Sequence, residues 1–398
     1  MRPLVSVVIP TWNRADLLRE AIDSVFAQQG VGELFDLEAL VVDDASSDHT
    51  PDVVARYGAV RHIRLKENRG LPAGARNVGI EASTGTYVAF LDDDDLWLPG
   101  KLKLQVPALE SNTAAGVAYS HYYIQKRGRK PVLVPEAKDP PSGWVLPAML
   151  TRDWDFITIN LLVRRDVFER VGTFDESLGH AEDRDLLYRL AFHVPFVFIP
   201  GAVAVYREAR TGLNSTMTRA RAERALRAML EKVLALLPET EESSHIRETA
   251  WARFALGFVP QLASSGDMEK ARVSILDWLR VMPTLGRDRL TRRAISAFSR
   301  ALGRTADQPI EALERLCAEV VASVIEGEGS QAAVRHILAD VWREGTIGAG
   351  MSPRRRLGIV GYGVVRALSL NPFRAVSRDL LKAVVKSVLP YHGTLSQR

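Results

Sequence analysis

Tyr87-Val88-Ala89-Phe90-Leu91-Asp92-Asp93-Asp94-Asp95-Leu96-Trp97 sets an apolar, β-prone run directly against four carboxylates. The run reads as a buried strand whose C-terminal end delivers negative charge to one point. Four adjacent carboxylates repel one another, so the arrangement is costly unless a cation or hydrogen-bond donors sit beside it. A hard divalent ion such as Mg²⁺ or Mn²⁺ takes oxygen ligands, keeps some of its waters and bridges to substrate phosphates. The alternative for the stretch alone is an acidic strand-to-helix turn with a helix N-cap.

Around this stretch the first half alternates strand and helix patterns. Residues 4–9 read as an apolar strand. Residues 16–28 have helical spacing, with Leu17, Leu18, Ala21, Ile22, Val25 and Phe26 on one face. Residues 40–42 and 60–65 read as further strands, 74–83 as a helix and 87–91 as the fourth strand. Strands separated by helices predict a mostly parallel α/β sheet, and in such sheets ligands bind outside the carboxyl ends of the strands. Three strands end in polar groups: Pro10-Thr11-Trp12-Asn13-Arg14, Asp43-Asp44 and Asp92 to Asp95. As parallel neighbours they would converge on one crevice.

Between 117 and 208 the pattern is mixed. Strands are expected at 117–125, 132–134, 160–163, 196–199 and 202–206, a loop and short helix at 143–152, and a helix beginning with acids at 181–192. Beyond about 213 helical periodicity dominates, over 219–237, 246–263, 268–281, 288–302, 309–325 and 331–343. The expected organisation is a domain over 1–212, a helical domain over 213–350 and a basic amphipathic tail over 351–398.

Composition sets the outer limits. With 398 residues, 46% hydrophobic and 25% charged, the chain is an ordinary globular sequence long enough for two domains. Its single cysteine, Cys317, excludes an intrachain disulfide framework and a cysteine-built zinc site. No long apolar core follows Met1, so no signal peptide is expected, and no apolar stretch is long enough to predict a spanning helix. The net charge of +4 is local: residues 351–398 hold nine Lys or Arg against Asp379, a tail of +8 on a remainder of −4.

Asp44 follows a buried strand and can accept hydrogen bonds from a nucleobase or ribose, whereas Asp43 fits an Asx-type turn or cap with Ser46, Ser47 and Thr50. The loop from Asn68 through Arg76 and Asn77 carries glycines into a helix. It reads either as a phosphate-facing helix start with an arginine or as a plain loop. In Ala181-Glu182-Asp183-Arg184-Asp185, acids in a first helical turn complement the dipole, but group transfer to a hydroxyl also needs a general base. Asp185 lies two residues on and points elsewhere, as a structural acid. Gly358-Ile359-Val360-Gly361-Tyr362-Gly363 fails as a dinucleotide loop because Arg366 occupies the last glycine position. The eight histidines offer no close metal-ligand pair.

Together these residues resemble the family 2 glycosyltransferases, inverting enzymes of the glycosyltransferase A-type fold. The resemblance spans about residues 4–215. It rests on five ordered segments: VSVVIPTWNR at 5–14, VVDDASSD at 41–48, NRGLPAGARNVGI at 68–80, FLDDDDLW at 90–97 and GTFDESLGHAEDRDL at 172–186. It implies a Rossmann-like, mostly parallel sheet followed by an all-α C-terminal region. Pro10, Thr11, Asn13, Arg14 and Asp44 would line the nucleotide pocket, with Arg76 and Asn77 toward the donor. Asp94, with Asp92, would hold a divalent metal (Mn²⁺ or Mg²⁺), and Asp92 or Asp93 would face the ribose or sugar. Asp183 would be the base, with Glu182 beside it. Relatives that add a histidine ligand after the last core strand find no counterpart in residues 205–217, so water or phosphate oxygens would complete the shell. Residues 206–215 otherwise fit a loop closing over the donor.

The expected partners are a nucleoside-diphosphate sugar and a glycan or lipid-linked acceptor of the cell envelope, with no nucleic acid. The tail 351–398 suits either peripheral contact with an anionic membrane or helices packed with an exposed basic face. The expected setting is the cytoplasm, at the cytoplasmic face of the membrane if the tail makes that contact. The rival functions are a sugar nucleotidyltransferase, for which the first strand lacks a glycine-rich loop with lysine, and a binding module without turnover.

Overall fold

The computed structural model describes residues 1–134, 140–151, 157–179, 181–207 and 219–281, with Ala294 and Phe298. The strands are Leu4–Thr11 (β1), Asp36–Asp43 (β2), Val60–Arg64 (β3), Tyr87–Phe90 (β4), Leu96–Trp97 (β5), Val117–Gln125 (β6), Val132–Val134 (β7), Leu161–Arg164 (β8) and Phe196–Arg207 (β9). They form one sheet in the order β3-β2-β1-β4-β8-β6-β9-β5, with β7 paired to β6. β1 lies between β2 and β4, parallel to both, and is buried along nearly its whole length. That is why LVSVVIPT is apolar on both faces instead of alternating. β8 is antiparallel to β4 and to β6, and β9 is parallel to β6. Strands β1, β2, β3, β4, β6 and β9 therefore all point one way, and their carboxyl ends share one edge. This is the α/β class expected from the sequence.

The helices of this part are Ala15–Phe26 (α1), Thr50–Val54 (α2), Pro72–Ala82 (α3), Lys101–Ser111 (α4), Leu146–Thr151 (α5), Val167–Val171 (α6), Glu182–His193 (α7) and Arg219–Leu234 (α8). α1 buries Leu18, Ala21, Ile22 and Val25, one apolar stripe at helical spacing. α3 lies so close to β1 that a Cβ on Gly79 would stand 2.2 Å from Val8 Cγ1, which only glycine avoids. The two strands expected at 196–199 and 202–206 are one strand, β9, whose register against β6 shifts near Pro200-Gly201.

Four elements carry no sequence expectation: α2, β5, α4 and α6. The buried face of α4 contains Lys101 and Gln105 beside Leu102, Val106 and Leu109, and Pro107 lies inside it, so its apolar period is broken.

The chain divides into two compact units, Met1–Pro238 and Glu239–Arg398. In the second, Glu241–Gly257 (α9), Val259–Ser264 (α10) and Met268–Val281 (α11) are described. Thr240 caps α9 by accepting a hydrogen bond from Ser243 N, and Gly266, at φ +84°, turns the chain between α10 and α11. The expected domain edge after residue 212 falls outside the described residues. So do the helical segments expected beyond 281 apart from Ala294 and Phe298, the loop 208–215, Cys317 and the basic tail 351–398. Among the described residues no helix is long and apolar enough to cross a membrane.

Candidate active site

The carboxyl edge of the sheet is built first by two turns that hold each other. After β1 the chain passes through Asn13 at φ +53°, and after β2 through Ala45 at φ +60°. Asparagine tolerates this left-handed region better than most residues. Asn13 Oδ1 accepts hydrogen bonds from Ser47 N (2.7 Å) and Asp48 N (3.3 Å), and Asn13 N donates to Ser46 Oγ. Asp48 Oδ2 in turn accepts from Ala15 N, so the first turn of α1 is capped from the neighbouring loop. Pro10 is buried in β1 opposite Val42.

Asp43 and Asp44 take different tasks. Asp43 is fully buried, and its Oδ1 accepts from Ser46 N at 2.8 Å, an Asx-type turn. Asp44 receives the loop 68–70: its Oδ1 accepts from Arg69 N at 2.9 Å, and its carbonyl accepts from Asn68 Nδ2.

The aspartate stretch leaves β4 beside these turns. Thr11 Oγ1 donates to Asp93 Oδ2 at 2.9 Å. Arg14 Nη1 donates to Asp93 Oδ1 (3.0 Å) and Asp94 Oδ2 (2.7 Å). Asp95 points inward, where its Oδ1 accepts from Arg207 N at 2.8 Å, and the Arg207 side chain donates to the Asp94 carbonyl and to Glu20.

Arg76 joins this group to α7. Its guanidinium is buried on α3, donates to Asp92 Oδ1 at 2.5 Å and to Glu182 Oε1 at 3.4 Å, and lies 5.3 Å from the centre of the Phe174 ring. Thr11, Arg14, Asp92, Asp93, Asp94, Arg76 and Glu182 thus form one region linked by hydrogen bonds and the acidic backbone, with Asp183 next to Glu182 and partly open to solvent. Asn77 serves the wall of this region. Its side chain donates to Phe174 O and Glu176 Oε1 and accepts from Phe174 N, pinning the segment before α7.

Burial and mutual repulsion push Asp93, Asp94, Asp95 and Glu182 up. Burial and the neighbouring Asp94 raise Asp93 to about 6, although Arg14 and Thr11 pull the other way. Asp94 is raised by burial and by Asp92, and Asp95 is raised by burial with Asp92 and Asp94 nearby. Burial and Asp183 lift Glu182 to about 7. Arg76 is raised as well: burial lowers it, but Asp92, Glu182 and Asp183 face it at once, favour its charged form and outweigh that burial, whereas Glu182 meets one arginine against two acids.

Among the described residues the six acids, Asp92 to Asp95 with Glu182 and Asp183, therefore meet three arginines, Arg14, Arg76 and Arg207. Asp95 Oδ2 is buried without a hydrogen-bond partner. An all-oxygen donor set with surplus negative charge fits a hard divalent cation. Among the described residues no three side chains converge to chelate one alone. A cation at Asp92 and Asp94 would thus draw its other ligands from substrate phosphate and water.

Arg207, Arg69, Glu176 and Phe174 contribute here although the sequence offered them only as members of the loop 206–215 and of the segments 68–80 and 172–186, with no role of their own. An arginine after the last strand is an ordinary surface signal until the fold brings it back to Asp94 and Asp95.

The family model for glycosyl transferase family 2 matches residues 6–172. An uncharacterized glycosyltransferase of Nostoc sp. strain PCC 7120 is 32% identical over 227 residues, which is 55% of this chain and 68% of that protein. The succinoglycan biosynthesis protein ExoO of Rhizobium meliloti is 35% identical over 202 residues, 46% of this chain and 55% of ExoO. The chain spans 63%, 58% and 33% of the length of three rickettsial relatives. Among solved structures, S. aureus TarS 1–349 in complex with UDP-GlcNAc superimposes with a TM-score of 0.55 at 16% identity, covering 89% of this chain and 93% of TarS 1–349. At that identity the likeness concerns the fold.

Proposed function

The chain belongs to the family 2 glycosyltransferases, and from this premise we propose that it transfers a sugar from a nucleoside-diphosphate sugar to a hydroxyl of a growing surface glycan, inverting the anomeric carbon. The observation that carries the reading is Arg76, one buried guanidinium between Asp92 of the aspartate stretch and Glu182 at the start of α7. It sets the acids suited to a donor diphosphate and the acids suited to an acceptor hydroxyl on either side of one fixed cation. The name of ExoO points the acceptor toward polysaccharide.

In this reading the nucleotide lies against Pro10, Thr11, Asn13, Arg14 and Asp44, with its diphosphate toward Asp92 to Asp94. Asp92 and Asp94 would hold a divalent cation, Mn²⁺ or Mg²⁺, which when bound would supply charge neutralisation for the departing diphosphate. Arg14 and Arg76 orient the acids. Asp183 takes the proton of the acceptor hydroxyl. The freed oxygen pair forms the bond to the anomeric carbon from the face opposite the diphosphate, and the carbon–oxygen bond to phosphate breaks with its electrons leaving on the nucleoside diphosphate. Attack from the opposite face inverts the configuration.

The test is nucleoside-diphosphate release across UDP-GlcNAc, UDP-glucose and GDP-mannose, with Mn²⁺ or Mg²⁺ and glycan acceptors, in wild type, Asp94→Ala and Asp183→Asn. Metal-dependent release from one donor, lost in both variants, supports the reading. Release that both variants retain sinks it, and donor binding without turnover on any acceptor favours a binding module.

A further inference from the structure

α8 lies beyond the stretch that the family model covers, yet it packs on α7 and on the 3₁₀ turn Glu176–Leu178, and it buries Met229, Leu230, Val233 and Leu234. From the same helix Lys232 reaches two acids on two different elements. Its Nζ is 2.7 Å from Asp175 Oδ2, with a hydrogen bond. It is also 3.0 Å from Asp185 Oδ1, an ionic contact without hydrogen-bond alignment.

Each acid is tied further into the site. Asp185 is fully buried in the first turn of α7, two residues after Asp183, and pairs with Arg189 at 2.6 Å. Arg189 donates to the carbonyls of Val171 and Thr173, fixing the chain that leads into the turn. Asp175 accepts from Ser177 N and Oγ. It sits next to Phe174, whose ring faces Arg76 and whose backbone is held by Asn77. Beyond it Glu176 pairs with Arg69, the residue whose N–H binds Asp44. One ammonium therefore fastens both supports of the Arg76 junction: the helix carrying Glu182 and Asp183, and the turn carrying Phe174. Consistent with this, Lys232 and Ser177 hold the Asp175 carboxyl down at about 2 against the opposing effect of burial.

We propose that Lys232 is a positioning residue: by bridging Asp175 and Asp185 it sets where Glu182 and Asp183 stand relative to Arg76 and Asp92, making residues 219–234 part of the catalytic unit. The proposal rests on the reading of Asp183 as the base. The removal of Lys232 leaves Asp185 to Arg189 alone and frees the turn, and a displacement of about 1 Å at a reacting group can cost roughly a hundredfold in rate.

The test uses the full chain with Lys232→Met and Lys232→Arg. Should the Met variant fail to fold, Lys232→Gln, which keeps a donor toward Asp175 but no charge toward Asp185, replaces it. Hydrogen exchange and nucleoside-diphosphate release from UDP-GlcNAc, UDP-glucose and GDP-mannose are measured together. The expected result is faster exchange confined to 174–187, a kcat lower by roughly 10–100-fold, a donor KM changed less than about threefold, and recovery in Lys232→Arg. Unchanged exchange at 174–187 overturns the proposal whatever the donors do. So does a loss of kcat and donor affinity in parallel that arginine does not restore. Asp183→Asn, run alongside, separates the two ideas. If it keeps full turnover, the base assignment falls. If it loses turnover while Lys232→Met does not, only the role of Lys232 falls.

Discussion

Lys101→Met isolates a buried amine that faces no carboxylate. Lys101 is completely buried at the start of α4, where its Nζ donates to Gln105 Oε1 (2.7 Å) and Leu161 O (2.9 Å) and lies 4.9 Å from the centre of the Trp97 ring. Burial pulls its pKa well below the ordinary lysine value. Between that depressed value and the unfolded value near 10.4, the unfolded chain binds a proton that the folded chain does not. Stability therefore rises with pH across this window, at up to about 1.4 kcal/mol per pH unit, and is lost as pH falls toward the folded pKa. Methionine keeps most of the volume and removes the titration. The stability of wild type minus that of the variant should grow by about 2–3 kcal/mol between pH 7 and pH 9 if the amine is neutral across that range. At a single pH the comparison is less telling, because the variant also leaves Gln105 Oε1 without its donor, a cost of about 1–3 kcal/mol. Guanidinium unfolding at pH 7, 8 and 9, followed by tryptophan fluorescence, measures the difference directly. A difference that stays flat would refute the reasoning. It would mean that two acceptors and one ring face suffice to keep an ammonium charged in this core.

Three further outcomes follow from the geometry. Arg76→Met strands Asp92 and Glu182 without a counter-charge and should destabilise the protein by about 3–5 kcal/mol; thermal melts should show partial recovery when Glu182→Gln is added. Gly79→Ala forces a methyl to within 2.2 Å of Val8 Cγ1 and should cost about 1–3 kcal/mol, read as a lower melting temperature with activity per folded molecule preserved. Asp183→Asn should lower kcat by about 10²–10⁴-fold with little change in nucleotide affinity by calorimetry.

Much of the sheet was legible because its strands are buried on both faces. β1 and β4 are apolar runs bounded by polar breaks, and a strand covered on both sides leaves that signature. The elements that escaped are those whose buried face is not apolar. α4 hides Lys101 and Gln105 in its core face because both are engaged by backbone and side chains across the sheet. Gln105 Nε2 donates to Asn160 O, Lys101 Nζ to Leu161 O, and Trp97 Nε1 to Ile159 O, so three successive carbonyls are caught by side chains at four-residue intervals. A hydrophobic period cannot report such a ladder. β5 was missed for another reason: two residues have no period, and Leu96-Trp97 becomes a strand only because β9 passes beside it.

The acids of the site were legible as a cluster, whereas Arg14 and Arg76, though expected at the donor, gave no sign in the sequence of the acids they meet, and Arg207 stood only within an expected loop; the asymmetry has a physical cause. A carboxylate cluster at a strand end is improbable without compensation, so it announces itself in the sequence. An arginine is long, and at any surface position it is ordinary. Arg76, Arg14 and Arg207 come from α3, the end of β1 and the end of β9, and none of the three follows the aspartates closely in sequence. Each reaches a different part of the stretch: Arg14 takes Asp93 and Asp94, Arg76 takes Asp92, and Arg207 holds Asp95 through its backbone. Three cations from separate elements can offset part of the charge of four acids only where the sheet brings those elements to one edge. The compensation is therefore a property of the fold, and the surplus charge that remains supports the proposal that the site takes a divalent cation and a diphosphate.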